Sequence, residues 1–115
     1  LLVRETVSAS TSDFIRRALV RTVAEGTGKA AQVAGYEVGG KTGTAEKTTI
    51  DLENNAWMVA FAPFDDPQIA VCVYIPHGYS GSYCSITIRE VLNYYLEHMG
   101  LDGEDTMPPS NSLAY

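Results

Sequence analysis

Lys41, Thr42, Gly43 and Thr44 stand together in the run GYEVGGKTGTA, residues 35 to 45. One ammonium, two hydroxyls and a residue without a side chain can receive an anion in two incompatible ways. From Gly35 to Thr42 the run fits G-x-x-x-x-G-K-[ST], a loop whose backbone amides cradle phosphate. From Lys41 to Gly43 it reads K-T-G, a strand motif of sites in which a serine is acylated. The elements around the run decide between them.

A phosphate loop needs an apolar strand before its first glycine and a helix opening at the Lys-Thr pair, since the helix terminus supplies amides and dipole. Before Gly35 the chain offers only AAQVA, and after Thr42 come Gly43, Thr44, Thr48, Thr49 and Ile50, a poor helix without an apolar stripe. GTGK at 26–29 is a second partial imitation of the same pattern. No downstream apolar strand ends in an aspartate placed for Mg²⁺, because VCVYI runs into Pro76. No nucleotide is therefore expected to bind.

A strand over YEVGGKTGTAEK fits better. Gly39, Gly40 and Gly43 would each cost a helix roughly 1 kcal/mol relative to alanine, whereas threonine and valine suit a strand. Gly43 leaves room for a ligand backbone to run alongside. Thr42 and Thr44, two residues apart, share a face and can together hold a carboxylate. Lys41 adds a fixed charge, and a backbone N–H on such an edge can stabilise an oxyanion.

The rest of the chain supplies few elements. Residues 12 to 25 place Phe14, Ile15, Ala18, Leu19, Thr22 and Val23 on one helical stripe, with Thr11 or Ser12 as cap, Gly26 as stop and Arg16, Arg17 and Arg21 on the solvated side. A Gly/Ala-rich connector precedes the motif strand, and a polar turn region over residues 48 to 55 follows it. AWMVAFAP alternates large Trp57, Val59 and Phe61 against Ala56, Met58 and Ala60, and QIAVCVYI is a β-branched strand. Short links favour antiparallel pairing. Residues 84 to 99 carry a second helical stripe, Cys84, Ile88, Val91, Leu92, Tyr95 and Met99, closed by Gly100. The expected fold class is α+β: helix, three antiparallel strands, helix. Residues 1–100 form one unit, and the acidic, Pro-containing stretch 101–115 reads as a mobile tail.

The 115 residues carry a net charge of −6, which argues against a nucleic-acid footprint. No apolar run approaches the ~20 residues of a membrane span. Cys72 and Cys84 are too few for a disulfide framework or a metal site; one bridge between them stays open beside the reading of two small, part-buried thiols. His77 and His98 stand apart with no acidic pattern nearby, so no metal and no cofactor is expected.

Extended to GGKTGTAEK and followed by NAWMVAFAP and IAVCVYIPHG, the motif resembles the C-terminal part of the transpeptidase domain of penicillin-binding proteins, over about residues 12 to 99. Ala45 and Glu46 look more like the monofunctional class B enzymes. The resemblance implies the serine β-lactamase/transpeptidase-like fold and a peptidoglycan D,D-transpeptidase, working through an acyl-serine intermediate and binding penicillin. It implies that Lys41 holds the substrate carboxylate and tunes proton transfer, that Thr42 and Thr44 bind that carboxylate, and that the Thr44 N–H joins the oxyanion hole. Gly43 gives steric room, and Tyr79, Ser80 and Tyr83 belong to a loop that could line the acceptor side or merely decorate it. The partners implied are stem peptides and β-lactams, on the extracytoplasmic face of the bacterial membrane, with an anchor absent from this chain.

The family also needs S-x-x-K and S-x-N. No serine here has lysine three residues on or asparagine two residues on. The expectation is a fragment, inactive and prone to self-associate alone, which works beside the missing N-terminal part of its domain. The alternative is a non-catalytic pseudo-transpeptidase module for binding or assembly.

Overall fold

The computed structural model describes residues 6–46 and 53–98. Two helices and a three-stranded sheet are formed in the order α1 (Ala9–Glu25), β1 (Gly39–Ala45), β2 (Asn55–Ala62), β3 (Ile69–Ile75) and α2 (Cys84–His98). Strand order is β1-β2-β3, antiparallel throughout, with Lys41 opposite Val59, Gly43 opposite Trp57, and Trp57 opposite Tyr74. The α+β arrangement expected above is the observed one. Met99, Gly100, the tail 101–115 and most of the 48–55 turn region lie outside the described residues; Asn55 itself opens β2.

Strand alternation gives the sheet two unequal faces. The inner face collects Ala56, Met58, Ala60 and Ala62 from β2, all buried, with Ile69, Val71, Val73 and Ile75 of β3 packed against them. Helix α2 lies on this face through Ile88, Leu92 and Leu96, and α1 reaches it at Val23. Small residues on β2 let the helices come close, and Met58 fills the gap that remains. Gly28, beside Val23, is held to the core by the same side chain: a Cβ on it would lie 3.1 Å from Met58 Cε.

The stripe expected on α1 is only partly buried. Phe14 is 74% and Ile15 48% exposed, and Val23 is the buried residue of the helix. The helix also begins earlier than expected, at Ala9, capped by Ser8, whose hydroxyl accepts from the Thr11 N–H, in place of Thr11 or Ser12. Helix α1 packs on β1, and its buried residue, Val23, lies in its last turns, whereas Phe14 and Ile15 of its first half stay exposed. Gly26 ends the helix as expected, its N–H returning to Thr22 O. The Gln32 side chain then donates to the last-turn carbonyls of Val23 and Ala24, at 3.0 and 2.8 Å, which satisfies acceptors that a helix end leaves open.

The arginines divide as well. Arg17 and Arg21 make exposed i,i+4 pairs with Asp13 and Glu25. Arg16 is instead tied to the β2–β3 connection, its guanidinium donating to Phe64 O and lying 4.8 Å from the centre of the Phe64 ring. The connector after α1 is structured too: a 3₁₀ turn at Lys29–Ala31 and a Val33–Tyr36 bridge carry Ala31 and Val33 into the core. On α2, Leu96 is buried while Val91 is 40% exposed, a shift of the expected stripe by about one helical position. Cys72 and Cys84 are free thiols, the first exposed and the second buried.

Candidate active site

The Lys-Thr pair of the 35–45 run lies inside a strand. β1 spans Gly39–Ala45, so no helix opens at Lys41 and the phosphate-loop geometry is not formed. Among the described residues β1 has a strand neighbour on one side only, which leaves its outer edge with backbone groups facing no strand.

Register places the four motif residues. Thr42 pairs with Met58 and Thr44 with Ala56, so both threonines point to the inner face, while Lys41 and Gly43 share the outer face with Val59 and Trp57. Each hydroxyl has a partner. Thr42 Oγ1 lies 2.9 Å from Thr27 Oγ1, at the loop that ends α1, and Thr44 Oγ1 accepts from the Gly81 N–H at 3.1 Å, at the turn that opens α2. The exposed Lys41 ammonium donates to its neighbour's carbonyl, Thr42 O, at 2.7 Å. These bonds leave both hydroxyls able to make a second one, since a hydroxyl offers one donor and two acceptor sites.

The three glycines of β1 are not equivalent. A Cβ on Gly39 would lie 2.4 Å from the Phe61 ring, and one on Gly40 would lie 2.9 Å from Val59 O. A Cβ on Gly43 would meet only Trp57 Cβ, at 3.5 Å, an ordinary contact. The fold therefore requires glycine at 40, a side chain at 39 would have to displace the Phe61 ring, and neither constraint applies at 43. Room at Gly43 opens toward the solvent side of the outer face.

The loop behind the motif is also ordered around it. His77 and Tyr79 adopt left-handed φ values of 55° and 68°, uncommon for residues with side chains. The Tyr79 N–H donates to Asn54 O at 3.0 Å and the His77 N–H to Asn55 Oδ1 at 3.2 Å, which ties this loop to the start of β2. The exposed rings of Tyr79 and Tyr83 lie 6.2 Å apart between centroids. Sequence reasoning picked out Tyr79, Ser80 and Tyr83 here but missed Gly81 and Thr27. Thr27 sits in GTG, set aside as an imitation of a phosphate loop, and its hydroxyl was the signal available.

The edge strand thus carries a lysine and a glycine gap on one face and two hydrogen-bonded hydroxyls on the other. The chain matches the Penicillin binding protein transpeptidase domain family over residues 2–93, and it belongs to that family. It is 40% identical over 107 residues to stage V sporulation protein D of Bacillus subtilis, covering 85% of this chain and 17% of that protein. It is 33% identical over 119 residues to the probable peptidoglycan D,D-transpeptidase PenA of Neisseria flavescens, covering 95% of this chain and 29% of that protein. Among solved structures, the D,D-transpeptidase domain of a peptidoglycan glycosyltransferase from Eggerthella lenta superposes with a TM-score of 0.73 at 38% identity, over 83% of this chain and 22% of that one. The chain thus spans less than a third of the length of these relatives.

Proposed function

We propose that this chain supplies the K-T-G strand of a serine-type peptidoglycan D,D-transpeptidase, which cross-links stem peptides through an acyl-serine intermediate and is acylated by penicillins. The observation that carries the reading is Gly43, a glycine on the free edge strand that the fold itself does not need. An incoming peptide or β-lactam running beside β1 gives that gap a use.

In this reading Thr42 and Thr44 donate to the ligand carboxylate and Lys41 provides the positive charge that draws it in. The Thr44 N–H helps stabilise the oxyanion that forms as the ligand carbonyl is attacked. The nucleophile and its lysine belong to a longer protein, because no S-x-x-K or S-x-N occurs in these 115 residues. The chain alone is inactive. The longer protein acts outside the cytoplasmic membrane; among the described residues no helix is long and apolar enough to cross one.

The outer sheet face bears on the chain's behaviour alone. Trp57 is 41% and Val59 52% exposed, and the Tyr74 ring lies tilted beside Trp57 at 4.4 Å between ring centroids. Val59 also lines an apolar cleft with Leu19, Phe61, Ala70 and Cys72. Uncovered, such a surface favours association, so the isolated chain self-associates or needs the remainder of its domain for solubility.

A fluorescent penicillin tests the function. The longer protein should form a covalent, denaturation-resistant adduct on a serine upstream of this chain, and the 115-residue chain should form none. A label on any serine of the chain itself would overturn the assignment.

A further inference from the structure

Gly81 is buried at the first position of a 3₁₀ turn, Gly81–Tyr83, that runs directly into α2. Its lack of a side chain does not serve a left-handed backbone: among the described residues, positive φ occurs at Gly35, His77 and Tyr79. What glycine provides at 81 is close approach.

The surface approached is the motif strand. Gly43 pairs with Trp57, and the Trp57 side chain points to the outer face. On the inner face this pair therefore presents bare backbone, bordered by Thr42, Thr44, Ala56 and Met58. Gly81 lies on that bare patch. A Cβ there would stand 2.4 Å from Gly43 O, 2.8 Å from Gly43 N and 2.7 Å from Trp57 O. These are backbone atoms of two paired strands, so no side chain can swing aside to make room.

The same residue orients a hydroxyl. The Gly81 N–H donates to Thr44 Oγ1 at 3.1 Å and takes one of its lone pairs. The Thr44 hydrogen must then turn toward a different acceptor, and an anion is the acceptor it would bond most strongly. The turn is independently anchored, through Gly78 N–H to Ile75 O at 3.1 Å and Tyr79 N–H to Asn54 O. Gly81 thus holds one end of α2 against the strand without help from a ligand.

We infer that Gly81 is a positioning residue of the motif strand: it sets the Gly43 peptide and aims the Thr44 hydroxyl at the carboxylate of the incoming ligand. The inference rests on the transpeptidase reading above, and its test separates the two.

In the longer protein, Gly81→Ala should slow acylation by a carboxylate-bearing penicillin about ten-fold or more, the worth of one hydrogen bond to a charged group. Acylation by the methyl ester of the same penicillin should change much less. Equal losses with acid and ester would overturn the inference, since a general distortion slows both. Hydrogen exchange supplies a second arm that does not depend on Gly81→Ala folding. Thr44→Val should expose the Gly81 amide to exchange and Thr44→Ser should keep it protected, while Tyr79 stays protected in both. Unchanged exchange at Gly81 in Thr44→Val would overturn the contact. A wild-type protein that no penicillin acylates would sink the functional reading, and the exchange arm would still decide whether Gly81 holds Thr44.

Discussion

The hydroxyl of Ser85 donates to the sulfur of Met58 across 3.1 Å, with both side chains sealed from solvent. Among the described residues Ser85 is the buried polar one, and a thioether is a weak acceptor. Removing the hydroxyl should therefore cost little, and Ser85→Ala should shift stability by no more than about 1 kcal/mol. Met58 also contacts the backbones that close around it at Gly28 and Gly40, so Met58→Ala should cost about 2–5 kcal/mol. Urea unfolding midpoints at constant slope would check both, and equal losses would contradict this division of labour.

Gly40 and Gly43 should separate fold from function. Gly40→Ala pushes a methyl against Val59 O and Met58 Cε, and overpacking of this kind costs about 1–3 kcal/mol. Gly43→Ala should leave the unfolding midpoint within the scatter of surface substitutions while slowing penicillin acylation of the longer protein. Should Gly43→Ala unfold as readily as Gly40→Ala, the glycine would belong to the fold.

Thr27 reaches the site from the other side, its hydroxyl on that of Thr42. Thr27→Val deprives Thr42 of that partner and should weaken capture of carboxylate-bearing ligands, with Thr27→Ser restoring most of the rate. Melting temperature should hardly move, since Thr27 is exposed. Wild-type acylation kinetics in Thr27→Val would remove Thr27 from the site.

How far the sequence reached depended on the range of each interaction. The strand assignment of GGKTGTA followed from glycine and threonine chemistry within a few residues. The pairing order followed from short links. The exposed Phe14 and Ile15 show the limit: periodicity locates an apolar face, but only the packing angle of α1 on β1 decides how much of it is covered. Gly81 and Thr27 lie 37 and 15 residues from their hydroxyl partners. No local pattern encodes those contacts, and Gly81 was hidden further because its neighbours, rather than it, take the left-handed backbone.

The two thiols should differ toward alkylating reagents and toward pH. Burial, with Cys72 a lesser cause, pushes the Cys84 thiol up from its ordinary value. A raised folded value means that the neutral thiol stabilises the fold below the ordinary thiol range, about 8.5, and that this stabilisation is lost as pH rises through the raised value. Stability should hold from neutral pH to about 8.5 and decline from there toward the raised value, and Cys84→Ala should flatten the decline. Iodoacetamide followed by mass spectrometry should mark Cys72 first. Labelling of Cys84 at the same rate would mean that the start of α2 opens readily.

ATP or GTP with Mg²⁺ should show no saturable one-site binding by calorimetry, because Lys41 and Thr42 sit within β1. A clear single-site isotherm would mean that the run can leave the sheet.

Gly39 lies under the ring of Phe61, its partner across the β1–β2 ladder. That fit acts as an index mark. Sliding β1 by one residue would bring either Val38 or Gly40 beneath the ring and turn every motif side chain to the opposite face; Val38 would drive its side chain into the ring, and Gly40 would abandon its place over Met58. The phase of Lys41 and Gly43 is thus set at the far end of the strand from the loop that joins β1 to β2. That loop is released from keeping register, and its length is open to change by evolution or by design without moving Lys41 and Gly43 out of step.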